Sequence, residues 1–491
     1  MTNLTDVADL TGKMSGADAK AGLDLSIFGE KLSGQSGILD LMNDIGEAVA
    51  LRPDLLALGG GNPAAIPEMQ ALWRKSAADF LADAASFDKA LVCYDAPQGD
   101  PAFLDAFARL FAERFGLPIT AKNVAVVSGA QLGAFCLLNL LAGRTRDGRR
   151  RKILIPASPE YVGYADMGVE PDLFVACPAK ITFPNPDNPQ IFKYVVDFDA
   201  VERAVVENDV AAILVSRPTN PSGNILRRNE LERLDALAER IGAWLIVDSA
   251  YGGPFPGIVE DERELDSVFW GRRTILTFSL SKIGLPGLRT GFVVAPQEIV
   301  ERLAAITAIV GLANGALGQR IAKPFFDETG EILRASREIV RPYYRRRRAA
   351  AVDLLFDELR RVGVDGRLHA SEGAFFLWLW TPELKSGSKT LYRNLKERGV
   401  LAIPGDEFFY GLDGGGSGCA FDGKNAVKVD ATGKIGRGVD GKAERDPVFE
   451  AHRRQMLRIS FSAAESVVER GFRIIAETLA ETVAADAANL R

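Results

Sequence analysis

The chain has 491 residues, a formal net charge of −6 and 47% hydrophobic residues, which is too long for one compact core and too acidic for a protein whose main partner is nucleic acid. With only His369 and His452, and with Cys93, Cys136, Cys177 and Cys419 at no metal-ligand spacing, a histidine-based metal or serine-protease centre and a disulfide framework are all disfavoured. The cysteines read as mostly buried free thiols of a reducing, cytoplasmic compartment. No apolar run reaches the length of about 18 residues that would suggest a membrane span.

Residues 1–24 are small and polar and read as a disordered N-terminal extension. From Leu25 a lead-in segment and, over 37–45, an amphipathic helix are expected. Gly59-Gly-Gly-Asn-Pro63 is a glycine turn that lets the backbone approach a ligand closely, or equally a plain loop. Helical periodicity runs from Ala71 to Phe87, Tyr94 to Gly99 reads as a turn, and Pro101 to Phe115 reads as a helix. The apolar strand Val124 to Val127 then ends at Ser128-Gly-Ala-Gln-Leu-Gly133. A strand, a glycine turn and a helix start leave backbone N–H groups free for phosphate, here those of Gly129, Ala130 and Gln131. The basic run Arg144 to Lys152 is interrupted by aspartate and glycine and suits a solvated turn. Strands at 152–155 and 173–176 continue an alternation with helices, which implies a largely parallel sheet with ligands at its strand ends.

Three further apolar strands end on reactive side chains. Ala211 to Val215 leads into Ser216-Arg-Pro-Thr-Asn-Pro-Ser-Gly-Asn224, Ala243 to Val247 into Asp248 and Tyr251, and Thr274 to Phe278 into Ser279, Ser281, Lys282 and Arg289. A lysine amine is a useful nucleophile toward an aldehyde when it is held and partly desolvated, and its best-known such use is an imine with pyridoxal 5′-phosphate. Lys282 is the candidate. Ser279, Ser281 and Arg289 would then meet the dianionic phosphate with hydroxyl donors and a guanidinium fork. Asp248 would keep the pyridine nitrogen protonated, and Asn220 and Tyr251 would face the ring hydroxyl. Ser-x-x-Lys pairs also occur in serine hydrolases, and an aspartate after a strand is often a plain helix cap. Complementary partners for one ligand at three strand ends favour the cofactor reading.

Beyond a last strand at 291–296, helices are expected from Glu298 to Val362, with Arg345 to Arg348 on a solvent face rather than on RNA. His369 to Trp380 reads as one strand of a second domain, its Trp378 and Trp380 serving packing rather than a cofactor. Residues from about 413 to 450 are rich in glycine and charge and read as an inserted surface excursion, with a lid as the alternative. Met456 to Ser462 returns to a strand pattern around Arg458, and an amphipathic helix closes the chain.

Asn-Pro-x-Gly at 220–223, Asp-x-x-Tyr at 248–251, Ser-x-Ser-Lys at 279–282 and Pro-Gly-x-Arg at 286–289 occur in this order, and together they resemble the fold-type I, class I aminotransferases, which depend on pyridoxal 5′-phosphate. The stretches 58–69, 94–99, 159–166 and 251–258 are similar to members that work on valine and pyruvate. The resemblance covers about Leu25 to the C-terminal helix, apart from the insert. It implies an α/β fold: a large domain with a mostly parallel sheet between helices, over 71–315, and a smaller α+β domain over 316–491 with which residues 25–70 associate. It also implies a homodimer with a shared active site, in which Tyr94 reaches the phosphate in the neighbouring subunit. Tyr161 is placed to stack on the pyridine face, with Tyr164 the competing choice. Arg458, supported by Asn220, would fork the substrate α-carboxylate, and Gly60 would line the substrate side. Ala130 departs from the hydroxyl residue that many relatives carry, so only backbone donation is expected there.

The implied activity is ping-pong transfer of an amino group between an L-amino acid of the valine or alanine type and a 2-keto acid such as pyruvate, with Lys282 moving the Cα proton. Aromatic or 2-aminoadipate aminotransferases and carbon–sulfur lyases share the scaffold. A cofactor-sensing regulator would need a DNA-binding module that residues 1–24 are too short to supply, and a non-catalytic binding protein would have no use for Lys282, Asp248 and Arg458 together.

Overall fold

The runs Val124–Val127, Val210–Ser216 and Thr274–Ser279 are buried along their whole length, as strands covered on both faces must be. They belong to an eight-stranded sheet in the computed structural model, which describes residues 25–34, 36–39, 42, 43, 46, 55–187, 189–412 and 447–489. The order is Val124–Val127, Gly291–Val294, Thr274–Ser279, Trp244–Asp248, Val210–Ser216, Arg150–Ser158 and Gly143–Arg144, with Phe174–Pro178 also pairing with Arg150–Ser158. The pairings from Thr274–Ser279 across to Arg150–Ser158 are parallel, while Gly291–Val294 is antiparallel to both neighbours. Asp248 is in register with Ser216 on one side and with Thr277 on the other. The carboxyl ends of these strands therefore open onto one edge, where ligands bind in sheets of this kind.

The helix Pro101–Phe115 shows why its sequence folds as it does. Asp100 caps it by accepting from Phe103 N–H at 3.1 Å, Pro101 sits in the first turn, and Gly116 ends it at φ 66°. Phe103, Phe107 and Phe111, four residues apart, form one face that packs on Phe255, Phe278, Phe292 and Phe326. Each such ring stabilises the fold by about 1.5–3 kcal/mol through the apolar area it removes from water. This cluster backs the strand that leads to Lys282.

A second, six-stranded sheet runs Ile403–Pro404, Met456–Ser460, Phe376–Trp380, Arg367–His369, Ile191–Val195 and Lys180–Thr182. Its last two strands come from a hairpin that lies in the chain between strands of the first sheet.

Several expectations need correction. The helix read over Ala71 to Phe87 is two helices, Pro67–Ala82 and Ala84–Val92, because Asp83 breaks the first and caps the second through Ser86 N–H. The single strand read over His369 to Trp380 is two antiparallel strands, since the chain reverses through Ala374 at φ 59° and the N–H groups of Glu372 and Gly373 donate to Gly223 O. Arg345 and Arg348 do meet Glu260 near the surface, but Arg347 turns inward and donates to Phe461 O at 2.9 Å. Cys136 and Cys177 are buried thiols, whereas Cys93 is exposed.

The expected extension over residues 1–24 and most of the expected insert, 413–446, lie outside the described residues, as do residues 40, 41, 44 and 45 of the helix expected over 37–45, whose residues 37–39, 42 and 43 are helical. Pro447 to Glu450, read as the end of the insert, belong to the helix Pro447–Arg454. The described residues 25–34 belong to a unit of their own. Within it the helix Ile27–Ser33 is capped by Ser26, whose Oγ accepts from Gly29 N–H at 3.0 Å. Among the described residues, no helix is long and apolar enough to cross a membrane.

Candidate active site

Lys282 follows the strand Thr274–Ser279 on a short 3-10 turn, Ser281–Ile283. Its Nζ donates to Gly61 O at 2.6 Å and lies 5.5 Å from the centre of the Tyr251 ring. Burial, with the charges of Arg458 and Arg289 acting in the same direction and Asp248 opposing, lowers its pKa to about 8. A lysine with that pKa is a neutral nucleophile and base about a tenth of the time at pH 7, far more often than an exposed lysine.

Asp248 ends the neighbouring strand and is 8% exposed. Tyr164 donates to its Oδ2 at 2.5 Å and Ala250 N–H to its Oδ1 at 2.9 Å. Burial raises its pKa, and the donors Tyr164 and Ala250, the nearby Thr277 hydroxyl and the charge of Lys282 oppose that rise. Tyr164, the competing choice for ring stacking, is thus brought to Asp248 instead. Tyr161 lies beside it, the two rings edge to face at 5.1 Å. Tyr161 is held against Gly163, where an added Cβ would come 2.4 Å from its ring.

On the other side of Lys282, Ser279 Oγ accepts from Ser281 N–H at 3.1 Å, and Arg289 Nη1 donates to Ser281 Oγ at 3.4 Å. Arg289 takes φ 47°, and its guanidinium lies over the turn at Gly129, where a Cβ would come 2.3 Å from Nη2. Only glycine leaves that space open. Gly129, at φ 84°, precedes the helix Ala130–Leu141 without a side-chain cap, so the first-turn N–H groups of Ala130 and Gln131 face the same region as Arg289. Gln131 also donates through Nε2 to Gly163 O at 3.0 Å, tying this turn to the Tyr161 segment.

Arg458 stands in the middle of Met456–Ser460 and is 2% exposed. Its Nη1 donates to Asn220 Oδ1 at 2.7 Å and its Nη2 to Gly59 O at 2.6 Å, while Nε is buried without a partner. Phe376 and Phe408 cover its faces, with ring centres 4.2 and 5.2 Å from Cζ. Burial lowers its pKa to about 10. A buried guanidinium held only by neutral oxygens and ring faces is costly unless an anion completes it.

Most of the residues singled out by sequence therefore converge: Lys282, Asp248, Tyr251, Asn220, Ser279, Ser281, Arg289, Gly129, Ala130, Gln131, Tyr161 and Arg458. Gly60 lies between Gly59, whose carbonyl takes Arg458, and Gly61, whose carbonyl takes Lys282. Tyr94 stands apart and is 83% exposed.

Two residues that sequence reasoning passed over are Tyr164 in its contact with Asp248 and Glu160. Glu160 is 3% exposed, and its carboxylate takes Tyr161 N–H at 2.8 Å, Ser216 N–H at 2.9 Å and the Ser216 hydroxyl. Burial pushes its pKa up to about 8 against those donors, with the charge of Asp248 adding to the rise. The repeated tyrosine of Pro159-Glu-Tyr-Val-Gly-Tyr164 is the one sequence signal that could have marked this turn.

The family model for aminotransferase class I and II matches residues 69–417. The valine–pyruvate aminotransferase of Escherichia coli K12 is 40% identical over 80% of this chain and 90% of its own length. Among solved structures, valine–pyruvate aminotransferase from Salmonella typhimurium LT2 superposes with a TM-score of 0.73 at 35% identity, covering 91% of this chain and 99% of that one. A provisionally named amino-acid aminotransferase from Psychrobacter arcticum 273-4 superposes with a TM-score of 0.81 at 34% identity, covering 94% and 99%.

Proposed function

The chain belongs to the class I and II aminotransferase family, and on that footing we propose that it moves an amino group between an L-amino acid of the valine or alanine type and a 2-keto acid such as pyruvate. The observation that carries the reading is Arg458, a buried guanidinium with two neutral oxygens for partners, in the same site as the desolvated amine of Lys282. One group asks for a carboxylate, and the other for a carbonyl or an acidic C–H.

The residues present fit pyridoxal 5′-phosphate. The cradle that a Cβ at residue 129 would fill, between Arg289 and an uncapped helix start, suits a phosphate, and Asp248 supplies a buried carboxylate for a ring nitrogen. When bound, that group supplies an aldehyde and a protonated ring that withdraws electrons from Cα. Ser279, Ser281, Arg289 and the N–H groups of Ala130 and Gln131 would hold the phosphate, with Tyr94 of the partner subunit in a homodimer; the Gly129 N–H, expected to join them, donates to Val127 O at 2.7 Å instead. Asn220 and Tyr251 would face the ring hydroxyl, and Tyr161 one ring face.

Arg458 binds the substrate carboxylate in a fork that Asn220 and Gly59 orient. With that anchor fixed, Lys282 is the base that takes and returns the Cα proton. Phe376 and Phe408 exclude water from the Arg458 side. The valine-type substrate is supported by the E. coli relative of that name at 40% identity.

Donor and acceptor occupy one site in turn, so initial rates with L-valine and pyruvate should give parallel double-reciprocal lines. Intersecting lines would mean that both substrates bind together and would contradict this order. L-Tryptophan and L-2-aminoadipate should be poor donors, and a preference for either would replace the substrate while keeping the chemistry.

A further inference from the structure

Tyr161 and Asn220 sit on different segments, one after the strand Arg150–Ser158 and the other after Val210–Ser216. Between them is one side chain, Glu160. Its Oε1 accepts from Tyr161 N–H at 2.8 Å and from the Ser216 hydroxyl, and its Oε2 accepts from Ser216 N–H at 2.9 Å. The same Ser216 Oγ accepts from Asn220 N–H at 3.3 Å, and Asn220 Oδ1 accepts from Arg458. The backbone of Glu160 adds a third tie, its N–H donating to Phe408 O at 3.0 Å, and the Phe408 ring covers Arg458.

We propose that Glu160 is a positioning residue for substrate binding: a buried carboxyl knot that fixes the Tyr161 segment, the Asn220 segment and, through Asn220 and Phe408, the carboxylate-binding face of Arg458. The inference rests on the aminotransferase reading, because it needs Arg458 and Tyr161 to meet the substrate and the cofactor.

The physical case is one of cost. All three donors to this carboxyl group are neutral, and the group is 3% exposed, so burying it is unfavourable unless its hydrogen bonds are made. An apolar side chain of similar size would bury no carboxyl group. What it would not do is take two backbone N–H groups from two different loops at once. Packing does not duplicate the tie, because behind Glu160 lies a cavity of about 10 Å³ lined by Glu160, Tyr194, Thr219, Ser222 and Asn224 among others. That space has room for about one water, so side-chain packing at this point does not replace the tie between the two loops.

The test is the kinetics of Glu160→Ala and Glu160→Gln holoenzymes with L-valine and pyruvate, together with the absorbance of the bound cofactor. Removing the knot should raise KM for donor and acceptor about tenfold, the worth of one lost hydrogen bond in positioning, while kcat changes by no more than about threefold. Glu160→Gln, which keeps one acceptor of two, should fall between wild type and Glu160→Ala.

Should Glu160→Ala not fold, Ser216→Ala removes only the hydroxyl from the same knot and should raise KM several-fold. A folded Glu160→Ala enzyme with wild-type KM, or a Ser216→Ala enzyme with wild-type KM, overturns the inference. So does an equal loss of kcat in Ala and Gln at unchanged KM, which would make Glu160 part of the chemistry. A wild-type protein that transfers no amino group defeats the underlying reading instead, and is told apart by the unsubstituted control.

Discussion

Replacing Lys282 by alanine should lower kcat for alanine formation from L-valine and pyruvate by at least about 10⁴-fold, the upper end of what a positioned base contributes. Among the described residues, nothing else is placed to substitute for it. Among the ionisable groups around Lys282, Arg458 stays cationic, Asp248 is held by Tyr164 and Ala250, and burial raises the pKa of Tyr251, which makes its phenolate rarer still. The variant should still bind pyridoxal 5′-phosphate, because Asp248, Arg289 and the turn at Gly129 remain. Lys282→Arg keeps the charge but cannot give a neutral amine, so it should be as inactive as alanine. Multiple turnovers in Lys282→Ala at more than about one per cent of the wild-type rate would remove this amine from the reaction.

Replacing Arg458 by alanine should raise KM for both the amino acid and the keto acid by roughly 10- to 150-fold, the equivalent of about 1.5–3 kcal/mol for hydrogen bonds to a charged group. Both substrates carry the same carboxylate, so both should suffer alike. Arg458→Lys keeps a cation but not the fork, and Asn220 Oδ1 and Gly59 O, which now take Nη1 and Nη2, cannot both be satisfied in the same geometry. It should recover only part of the loss. Steady-state kinetics in each direction checks this, and a rise in KM for one substrate alone would mean that Arg458 contacts a side chain rather than the shared carboxylate.

The parts of the site that were legible in the sequence are those in which one ligand dictates several residue types within a few positions. Asn220, Asp248 with Tyr251, and Ser279 through Arg289 each follow a buried strand, and parallel pairing is enough to bring such ends together. The contacts that were not legible join segments far apart through groups with no residue signature. Gly59 O and Gly61 O, which receive Arg458 and Lys282, are backbone carbonyls 399 and 221 positions away in the chain. Tyr164 on Asp248 and Glu160 on Ser216 depend on how two loops meet above the sheet, which period and composition do not encode. The fold repeats the pattern. Strand existence followed from apolar runs, whereas the reversal inside His369 to Trp380 depends on Ala374 taking φ 59°, a conformation that sequence would assign to glycine.

Lys282, Asp248 and Arg458 are together proposed to carry out removal of the amino group from a valine-type donor. The most direct measurement is the absorbance of the holoenzyme titrated with L-valine in the absence of any keto acid. L-Valine should abolish the visible aldehyde-form band with stoichiometric release of the branched 2-keto acid, and added pyruvate should restore the band with formation of alanine. An unchanged spectrum with L-valine and L-alanine, or release of ammonia in place of recovery by pyruvate, would contradict it.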